Sequence, residues 1–434
     1  MALVFAAVAD DDTGATDLAG MLADHGVRTV LVIDVPAPAD LERWAAGADA
    51  VVVGVSTRSV QPRVAYERTR TAIRLLSGFD PRVYQIKYCS TFDSTPEGNI
   101  GQSIDAAMDE LGESFTIALP ALPVNGRTTY MGYHFVYQQL LSDSPMRDHP
   151  LTPMRNPHLV SHLAGQTRRR VGLAHYPVTA ERIEQARAQG VEIAILDCIS
   201  DEDLERICEA IADLRLITGS SAPAIKLPTI WRARGWWTRR PASWTTPESG
   251  GRGFLVVAGS CSVATRRQNE WLEQSGASVV VVDPVRLAEA AEPPIGRIVD
   301  ELRAGRTCLV RTASDREDVE RVPRWASEGG LSVLEAGARI SLELARLVRR
   351  VFEAQPPAAL VVAGGETAGA VCRALELAAL EVRPNIEPGV PLCVSLGWFR
   401  LPVVLKSGNF GSPDFYGRAL EACRAALQAG NWDG

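Results

Sequence analysis

The sequence predicts an α/β fold of two tandem domains with mainly parallel sheets and a cleft between them, and three observations predict it. Short apolar runs alternate with segments of helical periodicity from the start of the chain, the rhythm of a doubly wound parallel sheet. That rhythm breaks once, in a stretch rich in Trp and Pro, and then restarts. The 434 residues also exceed what one hydrophobic core usually organises.

The elements follow in order. Ala2–Ala9 is an apolar strand, Thr13–Gly26 a helix, Val30–Ile33 a strand, Leu41–Ala46 a helix and Ala50–Gly54 a strand. A helix near Ala65–Ser77 precedes strands near Val83–Lys87 and Phe115–Leu119. A helix near Ala180–Gln189, a strand at Val191–Asp197 and a helix near Asp203–Ile211 lead to the small-residue segment Thr218–Ala224. This sets an N-terminal domain over residues 1–225. Residues 226–250 hold Pro228, Pro241 and Pro247 with Trp231, Trp236, Trp237 and Trp244, and read as a linker packed against both domains. A C-terminal domain over 251–434 opens with the strand in FLVVAGS. A helix at Val263–Gln274 and strands near Ser278–Val282, Cys308–Arg311, Ala359–Ala363, Leu392–Leu396 and Val403–Leu405 complete its sheet.

Composition limits what such a protein does. With 46% hydrophobic and 22% charged residues, the chain is an ordinary folded protein. A net charge of −7 argues against a nucleic-acid surface, which needs a basic stripe. The eight cysteines stand singly, with neither CxxC pairs nor histidines at ligand spacing, so no disulfide framework or zinc site is expected. The start MALVFAAVADDD lacks the basic flank of a signal peptide, and no apolar run reaches membrane-spanning length, so a cytoplasmic location is expected. Small molecules, and a second copy of the chain in a homodimer, are the expected partners.

The chemistry-bearing residues sit where strands hand over to helices, which is where ligands settle in open α/β sheets. Asp10, Asp11 and Asp12 follow the first strand. A carboxylate there accepts from sugar hydroxyls, and Asp11 is the candidate for orienting or activating an attacking hydroxyl; a helix N-cap is the ordinary alternative. Arg58 follows the strand at Val51–Val53 and could clamp a substrate carboxylate. The loop after Val83–Lys87 crowds Lys87, Ser90, Thr91, Asp93, Ser94 and Asn99 together, with Asp93 and Ser94 as substrate contacts. In the second domain the turns AGSCS (Ala258–Ser262), AGGET (Ala363–Thr367) and KSGNFG (Lys406–Gly411) each follow a strand. Glycines let the backbone approach a phosphate, and helix starts attract anions. The three together indicate a nucleotide site, although the Walker consensus is absent. No GxGxxG follows the first strand of either domain, which counts against a dinucleotide-dependent oxidoreductase.

ADDDTGATD, TFDSTPEGN, VAGGETAGAV and LKSGNFG resemble the four-carbon acid sugar kinase family across nearly the whole chain. Pro120–Val136 and Ser144–Met154 look like its 3-oxo-tetronate kinase branch. The resemblance implies that the N-terminal domain binds the sugar acid and the C-terminal domain binds ATP, with phosphate passing to the terminal 4-hydroxyl. It further implies that Ser260, Gly364, Gly365, Glu366, Thr367 and Gly408 contact ATP, that Asp11 and Arg58 contact the acid, and that Mg²⁺ bridges the phosphates through ligands it does not identify. Two positions depart from the pattern. The KxDST element of threonate kinases has Thr91 in place of its lysine, Lys87 being the nearest, and Asp12 replaces an apolar or aromatic residue. A threonate, erythronate or other aldonate kinase, and a non-catalytic nucleotide or sugar-acid sensor, are the alternatives.

Overall fold

Five-residue runs such as FAAVA and AVVVG carry no alternation of polar and apolar residues, as strands covered on both faces require. The computed structural model, which describes residues 3–149, 152–239, 245–248, 250–289, 291–312 and 316–429, places both in the interior of a parallel sheet, each with a strand on either side. The chain divides into two units, Met1–Pro241 and Ala242–Gly434.

The strands of the first unit are β1 (Phe5–Ala9), β2 (Thr29–Ile33), β3 (Ala50–Gly54), β4 (Val83–Lys87), β5 (Thr116–Leu119), β6 (Arg127–Tyr130), β7 (Tyr133–Val136), β8 (Gln139–Leu140), β9 (Val171–Ala174), β10 (Ile193–Leu196) and β11 (Leu216–Gly219). Eight of them form a parallel sheet in the order β2-β3-β1-β4-β11-β5-β10-β9. The other three, β6 to β8, make a small antiparallel sheet that strand periodicity did not announce, because its segments are two to four residues long.

The expected linker is partly helix. Pro223–Ala233 is helical despite Pro228, because Leu227, Ile230 and Trp231 fall at helical spacing and are buried. Trp231 packs 5.6 Å from the Phe5 ring, Arg82 stacks 3.4 Å above Trp236, and Trp237 is buried. These three tryptophans therefore belong to the first unit; Trp244 and Pro241 lie outside the described residues, as does Ala2.

The second unit contains β12 (Phe254–Ala258), β13 (Ser278–Val281), β14 (Thr307–Arg311), β15 (Ala359–Ala363), β16 (Ala379–Glu387), β17 (Val390–Ser395) and β18 (Pro402–Lys406). Its order is β13-β14-β12-β15-β18-β17-β16, parallel from β13 to β18, with β17 antiparallel to both neighbours. The β16 strand contains Pro384 and two register shifts, which hide it from a period-two search. Its core joins Val256, Val361 and Val404 of the sheet to Phe415, Tyr416 and Leu420 of the helix Phe415–Ala429.

Candidate active site

Register builds the first cluster. Ala9, the last residue of β1, lies opposite Gly54 of β3 and Lys87 of β4, so three parallel strands end level. The residues after them emerge at one edge: Asp10 and Asp11, then Ser56–Arg58, then Tyr88–Asp93. Arg58 joins them. Its Nε and Nη2 donate to the two oxygens of Asp10, each at 2.9 Å, and Nη2 also donates to Asp11 Oδ1 at 2.8 Å. Asp93 Oδ2 stands 3.8 Å from Arg58 Nη1. Asn99 donates to the carbonyls of Thr57 and Val60 at 2.7 and 2.6 Å, which fixes the loop that carries the arginine.

This differs from an outward carboxylate clamp: the fork of Arg58 is already closed on Asp10. Burial pushes the Asp10 carboxyl above its ordinary value while Arg58 pulls against it, and the neighbouring Asp10 and Asp11 hold the Arg58 guanidinium firmly protonated although it is partly buried. The cavity behind the pair, lined by Thr57, Lys87, Asp93 and Asn99, measures about 10 Å³, so nothing larger than a water fits there.

Asp11 is the N-cap of the helix Asp12–Asp24, with Oδ1 accepting from Gly14 N at 2.9 Å. The ordinary cap is thus realised in the same residue that meets Arg58. Asp12 opens the helix, its carboxylate 3.5 Å from Ser56 Oγ. Asp93 accepts from Thr91 Oγ1 at 2.5 Å. Ser94, expected as a substrate contact, is instead fully buried. Its hydroxyl donates to Phe92 O and meets His162 Nε2, both at 3.0 Å, while Gln166 donates to it at 2.9 Å. Burial holds His162 neutral, with its pKa lowered to about 4.

The site also contains Asp17 and His134, which sequence reasoning passed over, and Lys87, which it named in the loop without a role. Lys87 is buried; Nζ donates to Tyr88 O at 3.1 Å and acts on both Asp10 and Asp17. Asp17 accepts from Ser221 Oγ at 2.5 Å, joining the first helix to the turn after β11. The position of Lys87 as last residue of a strand was the available signal for it. His134 in β7 meets Thr129 Oγ1 at 2.9 Å and Ser90 O at 2.7 Å, pinning the small sheet to the loop after β4.

In the second unit the same logic recurs. Ala258 of β12 lies opposite Ala363 of β15, and Ala363 opposite Lys406 of β18. The turns after these strands converge. Ser262 caps the helix Val263–Gln274, and both Ser262 Oγ and Thr265 Oγ1 donate to Gly408 O, at 2.6 and 2.8 Å. The approach is too close for side chains. A Cβ on Gly408 would stand 2.2 Å from Ser260 Oγ, and one on Gly259 equally close to Thr367 Oγ1. Gly364 has φ of 125°, a conformation L side chains rarely adopt, and begins the helix Gly365–Ala374 with no side-chain cap. Gly365 and Glu366 are exposed in its first turn and Thr367 is buried. Ser260, Gly364 to Thr367 and Gly408 are thus brought together, around helix-start N–H groups suited to an anion.

Comparison with known proteins covers both units. Residues 5–227 match the model of a sugar-binding N-terminal domain, and residues 255–416 that of a nucleotide-binding C-terminal domain. A 3-oxo-tetronate kinase of Pseudomonas savastanoi pv. phaseolicola is 41% identical over 430 residues, covering 96% of this chain and 97% of that protein. One from Pseudomonas fluorescens is 42% identical over 424 residues, covering 95% of each. A crystal structure from Salmonella typhimurium LT2, provisionally described as a tRNA synthase, matches with a TM-score of 0.81 at 33% identity, covering 96% of this chain and 98% of that one. The Haemophilus influenzae protein HI1011 matches with a TM-score of 0.77 at 32% identity, covering 96% and 99%. Likeness of this degree, end to end and through both domain models in tandem, means that the chain belongs to the four-carbon acid sugar kinase family, in the branch of the 3-oxo-tetronate kinases.

Proposed function

We propose that the chain transfers the γ-phosphate of ATP to the 4-hydroxyl of a 3-oxo-tetronate, giving 3-oxo-tetronate 4-phosphate. The observation that carries this reading is the full-length likeness to proteins named 3-oxo-tetronate kinase. The geometry supports it with one strand-end site of the fitting kind in each unit. The first offers carboxylates to a polyol acid, with Asp11 as the catalytic candidate and Asp10, Arg58 and Asp93 around it. Both bonds of Asp11 fall on Oδ1, so a substrate hydroxyl is offered Oδ2. Ser94 serves this site through the loop it holds. In the second unit, Ser260, Gly364, Gly365, Glu366, Thr367 and Gly408 receive the nucleotide.

Phosphoryl transfer needs orientation, charge neutralisation and exclusion of water more than covalent help. Mg²⁺ supplies neutralisation when bound, and it is usually held by phosphate oxygens with one or two carboxylates. The donor set fits that mode: the described residues hold no cluster of three ligating side chains, and Glu366 stands exposed in the first turn of the helix Gly365–Ala374. Among the described residues no helix is long and apolar enough to cross a membrane. A homodimer belongs to the same reading, supported by the exposed Tyr130, Met131, Tyr133 and Tyr137 of the small sheet, and equilibrium sedimentation tests it.

The deciding experiment is ADP release with Mg-ATP and a panel of threonate, erythronate and their 3-oxo forms, with acid-free controls. Turnover selective for a 3-oxo acid is expected. Selective turnover of a plain aldonate overturns the substrate and keeps the kinase; ligand binding without turnover supports a sensor.

A further inference from the structure

Beneath the converging turns of the second unit lies an ammonium group that neither the motifs nor the domain descriptions assign. Lys406 ends β18 and is 2% exposed. Its Nζ donates to Thr265 Oγ1 at 3.2 Å and to Gly408 O at 3.3 Å. Those two atoms are the ones that hold the Gly408 turn against the start of the helix Val263–Gln274. The backbone of the same residue accepts from Gly364 N at 2.9 Å, at the open end of the helix Gly365–Ala374. Lys406 therefore touches the Gly408 turn, the helix Val263–Gln274 and Gly364.

Among the described residues its side-chain hydrogen-bond partners are neutral, Thr265 Oγ1 and Gly408 O. Glu387 at the end of β16 acts on it, and that carboxylate is taken by Ser412 and Arg418. The other charged groups on the packed helices are Arg266, Arg267, Glu270 and Glu273 on Val263–Gln274, and Glu366 and Arg373 on Gly365–Ala374. The turn Ser407–Gly411 carries no ionisable side chain. Burying an ammonium without an anion is costly, and an anion arriving nearby offsets the cost.

We propose that Lys406 is the buried cation of the nucleotide site, supplying the charge against which the nucleotide phosphates bind, so that binding requires its ammonium form. The proposal rests on the nucleotide reading of this unit. Burial lowers the Lys406 pKa to about 8, and a phosphate bound nearby would favour the protonated form. Nucleotide binding is then accompanied by proton uptake near that pH.

The test is calorimetric titration with ADP between pH 7 and 9.5, in buffers of different ionisation enthalpy, on the full chain and on Lys406→Met and Lys406→Arg. ADP keeps its charge throughout this range, since its phosphates titrate near pH 6. For the unmodified protein, affinity should hold up to about pH 8 and then weaken by up to about tenfold per pH unit, with proton uptake. Lys406→Met should bind at least about tenfold more weakly with a flat profile, and Lys406→Arg should retain affinity with a flat profile. Weakened binding that keeps the pH slope would reduce Lys406 to a packing role and overturn the proposal, as would unaltered binding by Lys406→Met. Should Lys406→Met fail to give a cooperative thermal transition, the Lys406→Arg profile decides alone. Absence of ADP binding by the unmodified, folded protein removes the nucleotide reading itself, a separate failure from a normal affinity that ignores pH.

Discussion

Asp11 does two things with one oxygen, capping a helix and meeting Arg58, and the two can be separated by substitution. Asparagine caps about as well as aspartate, so Asp11→Asn should cost only what the weakened contact to Arg58 is worth, about 1 kcal/mol. Turnover should nevertheless fall by roughly 10²-fold with ATP affinity little altered, the size expected for loss of a group acting on the reacting hydroxyl. Urea midpoints and steady-state kinetics read the two effects; equal turnover would remove Asp11 from the chemistry. Lys406 yields a second prediction, for the ligand-free protein. Its proton is held less tightly in the folded chain than in the unfolded one, where lysine titrates near 10.4. Between about pH 8 and that value the unfolded chain binds more protons, so stability rises with pH across this window and is level below it. Lys406→Met should abolish the rise and add on the order of 2 kcal/mol at pH 7, because Gly408 O keeps Ser262 and Thr265 as donors. Denaturant titrations at pH 7 and 10 check this, and a slope that survives the substitution contradicts it.

At the scale of elements, both sites depend on parallel strands that end level, since adjacent carboxyl ends bring together turns that are far apart in sequence. The turn at Gly364 is the sharpest case. Gly364→Ala forces a side chain into a φ of 125°, at a cost of about 1–3 kcal/mol, and tilts the first turn of the helix Gly365–Ala374. Nucleotide affinity should drop by about tenfold or more while sugar-acid binding, measured separately by calorimetry, stays as it was. A loss of both would mean that the substitution disturbs more than the turn. The sheet β6–β8 acts differently, reaching the first site through His134 and Ser90 O. Burial keeps this ring neutral, with its pKa lowered to about 4, so the link persists at physiological pH. Strand periodicity could not announce it, because its strands are too short for a pattern and its anchors lie in other segments.

Considered whole, the protein carries a net charge of −7 and is read as binding two anions. Its overall field opposes their approach, and the local cations Lys87, Arg58 and Lys406 act at short range only. Raising ionic strength from about 0.02 to 0.15 M shortens the screening length to about 8 Å and should lower the KM for the acid or leave it unchanged. A steep rise would point to long-range attraction and contradict this. Several features were legible in the sequence. The αβ rhythm and its restart at Gly253 established two α/β units, because a strand buried on both faces is written as an apolar run, and residues after such runs are where ligands gather. Asp10, Asp11, Arg58 and the three glycine-containing turns were singled out in this way, and the fold brings them to strand ends. The sequence could not say that Arg58 closes on Asp10, that Ser94 turns inward, or that Lys87 and Lys406 lie buried. Those outcomes depend on which strands lie side by side and in what register, and no local segment encodes either; only the tertiary structure decided them.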